Sequence, residues 1–432
     1  MKGRIACGSP GYGRIHAVTA PAPALARRLG PTDAVVIGLG SMIGAGVFAA
    51  FAPAAAVAGS GLLLGLAIAA VVAFCNATSS AQLAAQYPVS GGTYVYAGER
   101  LGAWPGFLAG WSFVIGKTAS CAAMALTVAG YVAPPGWGKP VAVLAVLVLT
   151  AVDLAGITRT AALARVLVAA VLVVLVLVVA TGLAAGHPGE AGVAPWRWGG
   201  VLPSAGLLFF AFAGYARIAT LGEEVREPAR TIPRAIVLAL GIVLVVYTAV
   251  AVTCLVVLGP RLSTSAAPLA DVVLAAGFAA LVPVVAVGAA AGSLGSLLAL
   301  LAGVGRTSLA MARNGDLPRP LAAISPRTAV PWRATVALAV VVCALVLVSD
   351  LRGAIGFSSF GVLLYYLLAN VSALTQDRAH RRYPRAVAVL GVVGCAVLVV
   401  TLPTVSVAVG VAVLVVGVAG RMVRLRLDAR RR

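Results

Sequence analysis

Four glycines interrupt a long apolar run in the stretch Gly38-Leu39-Gly40-Ser41-Met42-Ile43-Gly44-Ala45-Gly46-Val47-Phe48. The run covers residues 34–58 and is long enough for a bilayer-spanning helix, which needs about 20 apolar residues. Each glycine lowers helix propensity by roughly 1 kcal/mol relative to alanine, so a continuous helix is disfavoured at the middle of the run. Unwound backbone at membrane depth is tolerated only where protein buries it or where it lines a cavity. The stretch therefore predicts a broken membrane helix beside a cavity.

A second apolar run, residues 201–221, contains the stretch Phe209-Phe210-Ala211-Phe212-Ala213-Gly214-Tyr215-Ala216. It predicts a second break, at Gly214. Interrupted apolar segments at matching places in two halves of a chain are typical of the substrate site of a membrane transporter.

The composition is that of a polytopic membrane protein. Of 432 residues, 61% are hydrophobic and only 10% are charged, and the mean hydropathy is +1.05. The net charge of +20 does not indicate nucleic acid, because the basic residues lie in short loops, where they set topology and contact anionic lipid. The six cysteines form no CxxC motif and no cluster with histidine, so we expect no metal, no disulfide framework and no cofactor.

The apolar runs predict an all-α protein with twelve transmembrane helices. They cover about residues 33–58, 61–86, 103–132, 139–157, 162–186, 201–224, 234–258, 279–309, 331–349, 353–375, 386–402 and 404–420. With the N-terminus inside, cytoplasmic stretches hold 26 of the 32 Lys and Arg residues, external loops hold four, and two lie within spans. This bias predicts a multi-pass protein of the cell membrane with both termini in the cytoplasm.

The two broken spans predict an internal repeat. Their starts are five spans apart, and an odd number of spans reverses direction, so the second copy is inverted relative to the first. We expect inverted repeat 1 at residues 33–186 (TM1–5), inverted repeat 2 at 201–375 (TM6–10) and two further spans at 386–420 (TM11–12). Residues 1–32 are expected to form a disordered cytoplasmic tail, and residues 421–432 a basic cytoplasmic tail. The partly apolar stretch 265–277 fits either a short external helix or an ordinary loop.

Four stretches between about residues 30 and 375 resemble, in order and spacing, motifs of the amino acid–polyamine–organocation (APC) transporters. They are Gly38 to Phe48; Pro88-Val89-Ser90-Gly91-Gly92-Thr93-Tyr94-Val95-Tyr96; Phe212-Ala213-Gly214-Tyr215 with Glu223-Glu224-Val225-Arg226-Glu227-Pro228-Ala229-Arg230-Thr231-Ile232-Pro233-Arg234; and Arg306 with Met311-Ala312-Arg313-Asn314-Gly315-Asp316-Leu317-Pro318. The resemblance implies a five-plus-five inverted-repeat fold with broken helices 1 and 6, and secondary transport of amino acids or related amines by alternating access. Some members of this family carry a coupling lysine in span 5, where this chain has Val171 and no lysine.

Broken helices also predict the substrate site from physical reasoning alone. The free N–H groups at the new helix start attract an anion, and glycine lets that backbone approach a ligand closely. We expect the substrate carboxylate at Ser41 to Gly46 and the ammonium at carbonyls near Phe209 to Phe212. The alternative is tight helix packing, because Gly40 and Gly44 match the GxxxG spacing. The candidate substrate-binding residues are Ser41, Met42, Ile43, Gly44, Ala45, Gly46, Phe209, Phe212, Ala213, Gly214 and Tyr215.

Two cations, Lys117 and Arg217, lie within spans, where a charge costs roughly 2.5–3.5 kcal/mol and usually has a function. No acidic residue is expected at the same depth, so we assign both to substrate binding or proton coupling; the alternative for Arg217 is to reach toward Glu223 or Glu224. Phe212 is the candidate gate, because a large ring at the second break can exclude water. Glu223 and Glu224 are candidates for an inner gate, in a stretch that Pro228 and Pro233 are expected to keep from forming one continuous helix.

These observations predict proton-coupled symport of a neutral or acidic amino acid. The alternatives are an exchanger, a sodium-coupled permease that uses the hydroxyls of Ser293 and Ser296, and a non-transporting membrane sensor. An enzyme is not expected, because no acidic or histidine cluster appears at a membrane interface. The expected partners are a small amino acid substrate, protons (sodium in the alternative) and membrane lipids, with no nucleic acid, in a monomer or homodimer.

Overall fold

The computed structural model describes residues 30–87, 91–156, 161–185, 192, 194–215, 218 and 225–430. All regular elements in these ranges are helical. Nine helical stretches of the described residues, some of them made of two or more consecutive helices, are long and apolar enough to cross a membrane. Trp332–Val348 and Arg385–Thr401 are two shorter apolar helices. Residues 1–29 of the predicted N-terminal tail lie outside the described residues. Pro88 to Ser90, at the start of the second motif, also lie outside them.

The first half of the chain begins with a span divided into three helices. They are α1 (Pro31–Met42), α2 (Ala45–Ala49) and α3 (Phe51–Ala58). The helices that follow are α4 (Leu62–Gln86), α5 (Thr93–Leu101), α6 (Ala103–Val132), α7 (Gly138–Leu154) and α8 (Ala161–Ala184). The boundaries of α4 and α6 agree with the predicted spans to within one residue.

The second half also begins with a helix that ends early. Helix α9 (Val201–Phe212) is followed by a 3₁₀ turn, Ala213–Tyr215. The remaining helices are α10 (Pro228–Leu258), α11 (Pro268–Ala275), α12 (Val282–Arg313), α13 (Trp332–Val348), α14 (Leu351–Leu374), α15 (Arg385–Thr401) and α16 (Thr404–Arg430). The short helix α11 forms within the stretch 265–277, for which the sequence allowed either a short helix or a loop.

The expectation that two prolines interrupt this stretch is confirmed at Pro228 and wrong at Pro233. Residues 225–227 are not helical. Helix α10 begins at Pro228 and continues through Pro233. Pro228 occupies the first turn, where a backbone N–H has no helical partner to lose. Pro233 has no N–H for the Ala229 carbonyl, so the helix continues there with one backbone hydrogen bond fewer.

Helix α6 lies in the interior of the bundle and α16 at its edge. The apolar stretch of α6 is 78% buried, against 11% for that of α16. Helix α6 packs against α12 and α14, while α1 packs against α8 and α10 and α9 packs against α4. The first broken segment therefore lies against α8 and α10, and the second lies against α4.

A buried ion pair attaches the last helix to the rest of the bundle. Arg421 of α16 lies 3.0 Å from a carboxylate oxygen of Asp316, and the two side chains are only 9% and 10% exposed. The Arg421 guanidinium also donates to the Ala103 carbonyl at 2.8 Å and lies over the rings of Trp104 and Phe107, 4.5 and 4.7 Å from their centroids. The hydroxyl of Tyr94 donates to the second oxygen of Asp316 at 2.8 Å. Helix α16 thus continues as an ordered helix beyond the predicted span end at residue 420.

Candidate functional site

The first break lies within the predicted stretch Ser41 to Gly46. Helix α1 ends at Met42, Ile43 and Gly44 separate the two helices, and α2 begins at Ala45. The first N–H groups of α2 have no acceptor within their own helix and carry partial positive charge. The Ser41 hydroxyl bonds to the Ile37 carbonyl of its own helix at 2.9 Å. Anion attraction at this break is therefore a property of the backbone.

The second break presents the opposite polarity. Helix α9 ends at Phe212, and the last carbonyls of an α-helix lack i+4 donors within that helix. These carbonyls carry partial negative charge and suit a cation or a hydrogen-bond donor. The two breaks together place an amide end and a carbonyl end in one region.

Glycine brings the two breaks into direct backbone contact. A Cβ added to Gly214 would lie 2.1 Å from the Ser41 carbonyl oxygen, and one added to Gly46 would lie 2.6 Å from the Ala211 Cα. Larger residues at either position would force the segments apart. In the described conformation, these glycines therefore serve close contact between the two segments.

Side chains donate hydrogen bonds to carbonyls at the end of α9 and in the 3₁₀ turn that follows it. The Ala213 carbonyl accepts from the Lys117 ammonium at 3.2 Å and from the Tyr366 hydroxyl at 3.2 Å. The hydroxyl of Tyr247 lies 3.0 Å from the Ala211 carbonyl oxygen and 2.6 Å from that of Met42. Within the predicted range 209–212, the Ala211 carbonyl is thus already contacted by a side chain of α10. The Ala213 carbonyl, just beyond that range, is contacted by side chains of α6 and α14.

Lys117 is buried, with 6% of its surface exposed. It forms no salt bridge with any residue in the described ranges, and its ammonium donates a hydrogen bond to the Ala213 carbonyl at the second break. Its predicted companions Arg217, Glu223 and Glu224 all lie outside the described residues.

Aromatic rings seal the region around the second break. Phe212 is fully buried and packs edge-on against Tyr247, with ring centroids 5.3 Å apart. Phe209 contacts Tyr366 edge-on at 5.9 Å, and Tyr215 stacks on the same Tyr366 ring at 4.9 Å. The candidate gate Phe212 therefore packs against a ring of α10, and its neighbours Phe209 and Tyr215 pack against a ring of α14.

A small cavity lies beside the first break. It has a volume of about 20 Å³, room for roughly one water molecule. Gly40, Ile43 and Gly44 line it from the broken span, Val171 from α8 and Gly292 from α12. Val171 therefore lies at the broken span. The cavity lies beside the apolar side chain of Val171.

The sequence reasoning missed Tyr247 and Tyr366. Both are buried tyrosines whose hydroxyls contact backbone at the breaks. A signal was present, since each places a polar hydroxyl inside a long apolar helix, where it needs a partner. Sequence could not show which backbone groups those partners are.

Comparisons with known proteins match this chain to permeases and transporters. A family model described as an amino acid permease matches residues 29–422. The chain is 62% identical over 413 residues to an uncharacterized transporter of Mycobacterium tuberculosis, covering 94% of this chain and 93% of that protein. It is 26% identical to a branched-chain amino acid permease of Bacillus subtilis, covering 86% and 85%. It is 28% identical to a chloroplastic cationic amino acid transporter of Arabidopsis thaliana, covering 78% and 64%.

Proposed function

Because the chain belongs to the amino acid permease family, we propose that it carries amino acids across the cell membrane by alternating access. The family and the names of its relatives indicate a transporter rather than an enzyme. The observation that carries the proposal is the meeting of two broken segments, one presenting amides and the other carbonyls. A zwitterion with one carboxylate and one ammonium is the ligand whose charges match these two ends.

The substrate carboxylate binds the N–H groups at the start of α2, and the ammonium binds carbonyls at the end of α9. Because Tyr247, Lys117 and Tyr366 already contact those carbonyls, the ammonium replaces at least one of these donors. The close contacts of Gly46 and Gly214 require the segments to separate before a substrate fits between them. The described conformation is thus a closed state of the transport cycle.

The architecture in this proposal has twelve spans, with TM1–5 and TM6–10 as inverted repeats and both termini in the cytoplasm. Support comes from the charge bias of the loops and from the broken segments that open the two halves at Pro31–Ala58 and Val201–Tyr215. Helices α7, α13 and α15 supply the short spans.

Proton coupling is the proposed energy source, with Lys117 as the residue that gains and loses the proton. Its burial without a carboxylate partner among the described residues makes the charged form costly, and its contact with Ala213 links it directly to the second break. Val171 cannot carry a proton, so the coupling residue of this chain differs from the span 5 lysine of some APC transporters. In this proposal, Arg217 takes part in substrate binding or proton coupling. Glu223 and Glu224 form an inner gate.

Sodium coupling is the second candidate, and one observation favours it. The hydroxyls of Ser293 and Ser296 are buried in α12 and have no hydrogen-bond partner among the described residues. Ser296 faces Gly44, since a Cβ there would lie 1.9 Å from its Oγ. Hydroxyl and carbonyl oxygens at this place suit a hard cation. Exchange without an ion is the third candidate.

The preferred substrate in this proposal is neutral or acidic. A cationic side chain would bring a second positive charge near Lys117, a repulsion of roughly 4 kcal/mol at 4 Å and an effective dielectric of 20. The relatives include both a branched-chain permease and a cationic transporter, so their names do not decide the class.

The test is uptake by purified protein in liposomes. A panel of labelled amino acids is offered with an imposed proton gradient, an imposed sodium gradient, or internal amino acid alone. Accumulation of a neutral or acidic amino acid under the proton gradient alone is the expected result. Selective uptake of arginine or lysine contradicts the substrate class, and stimulation by sodium but not by protons favours the second candidate. No uptake of any amino acid under any condition contradicts the proposed function.

A further inference from the structure

Tyr247 lies between the two broken segments and contacts both. Its phenol oxygen is 2.6 Å from the carbonyl oxygen of Met42, the last residue of α1, and 3.0 Å from that of Ala211 near the end of α9. The side chain is fully buried. One hydroxyl of α10 therefore reaches the backbone of both segments.

The ring of Tyr247 is held from two sides. It packs edge-on against Phe212 at 5.3 Å and against Phe51 at 6.3 Å between centroids. Phe51 opens α3 in the first broken span, and Phe212 closes α9 in the second. Both the hydroxyl and the ring thus have one partner in each broken span, and movement of either span changes the surroundings of Tyr247.

The hydroxyl has one proton and two acceptors. It can donate fully to only one carbonyl at a time, so the other must share the proton or find a second donor. Carbonyls at helix ends lack helical partners, and an unsatisfied one in the protein interior is costly. A substrate ammonium supplies several donors at once. When it reaches the Ala211 carbonyl, the Tyr247 proton is left entirely to Met42.

We propose that Tyr247 is a positioning residue that couples the two breaks, sharing one proton between Met42 and Ala211 until a ligand donor takes over one carbonyl. This inference rests on the proposed function for its link to transport. Its structural part, that one hydroxyl holds both breaks, stands on the described contacts alone.

The variant Tyr247→Phe tests the structural part without any substrate. It keeps the ring between Phe51 and Phe212 and removes only the shared proton. We expect backbone hydrogen exchange, measured by mass spectrometry on purified protein, to become faster by roughly fivefold or more in both residues 41–47 and 209–215. The matched control is Tyr96→Phe, because the Tyr96 hydroxyl is buried and has no hydrogen-bond partner among the described residues. It should leave both segments at wild-type exchange.

Transport supplies the second readout, normalised to the amount of reconstituted protein. Tyr247→Phe should lower the maximal rate per molecule by roughly tenfold, with KM unchanged or lower, because Ala211 loses a competing donor while the two breaks lose their link. A merely structural role would reduce the amount of folded protein and leave the rate per molecule unchanged.

Each outcome has one meaning. Faster exchange in only one segment, in neither, or equally in Tyr96→Phe overturns the coupling. A raised KM at an unchanged maximal rate also overturns it, since the hydroxyl would then be an ordinary substrate contact. If wild-type protein transports no amino acid but Tyr247→Phe loosens both segments, the proposed function fails and the coupling is supported.

Discussion

Replacing either member of the buried ion pair between Arg421 and Asp316 should destabilise the protein strongly. The two side chains are 9% and 10% exposed and 3.0 Å apart. Removing one partner of a buried pair typically costs about 3–5 kcal/mol, because the other charge is left buried without compensation. The perturbations are Asp316→Asn, Arg421→Met and the double variant.

The contacts around the ion pair predict different losses of stability for the two single variants. In Asp316→Asn, Arg421 keeps the Ala103 carbonyl and the Trp104 and Phe107 rings, and each ring contributes about 0.5–2 kcal/mol. We therefore expect a cost of about 2–3 kcal/mol. In Arg421→Met, those contacts are lost as well and Asp316 keeps the Tyr94 hydroxyl, so we expect about 3–5 kcal/mol.

The assay is reversible denaturant unfolding in mixed micelles, followed by a double-mutant cycle. Arg165→Met is the matched control, because the pair between Arg165 and Asp33 is equally close at 2.7 Å but its side chains are 56% and 22% exposed. That variant should cost at most about 1 kcal/mol. Equal losses in Arg165→Met and Asp316→Asn, or a coupling energy near zero between Asp316 and Arg421, would refute the reasoning.

The same variants have a predictable pH dependence. Burial raises the pKa of the Asp316 carboxyl above 3.8, and the charge of Arg421 lowers it in part. A carboxyl with a raised folded-state pKa contributes stability at low pH and loses it as pH rises through that pKa. Arg421→Met removes the lowering influence and raises the pKa further, so its loss of stability should be smaller at pH 5 than at pH 8. A loss that does not change with pH would contradict this.

Three further predictions concern transport and topology. Lys117→Ala should lose proton-driven accumulation in liposomes and retain substrate exchange, and unchanged accumulation would remove Lys117 from coupling. Gly44→Val should abolish uptake while membrane insertion stays nearly intact, because a Cβ at Gly44 would already lie 1.9 Å from Ser296 Oγ; normal uptake would refute the carboxylate site. Single cysteines near Gly136, Pro195 and Arg261 should react with impermeant thiol reagents from outside, and those near Arg159, Arg319 and His380 should not; external labelling at Arg319 would overturn the orientation.

Local sequence pattern was enough to locate α4, α6 and the first break. The span predicted at 103–132 is Ala103–Val132 in the structure, and the glycine-rich stretch does separate α1 from α2. Apolar run length and glycine content act within one segment, so neighbouring residues suffice to read them. Pro233 misled the same reasoning: α10 begins at Pro228, where a proline is well tolerated, but it also continues through Pro233.

The partners of each group were decided by the tertiary structure. Tyr247 and Met42 are 205 positions apart in the chain, and Lys117 and Ala213 are 96 apart. Arg421 reads in the sequence as part of a basic tail, yet it is buried against Asp316 and two rings. Composition specifies that a buried hydroxyl, ammonium or guanidinium needs a partner. Which carbonyl or carboxylate provides it depends on how helices distant in sequence pack against one another, and only the folded bundle sets that arrangement.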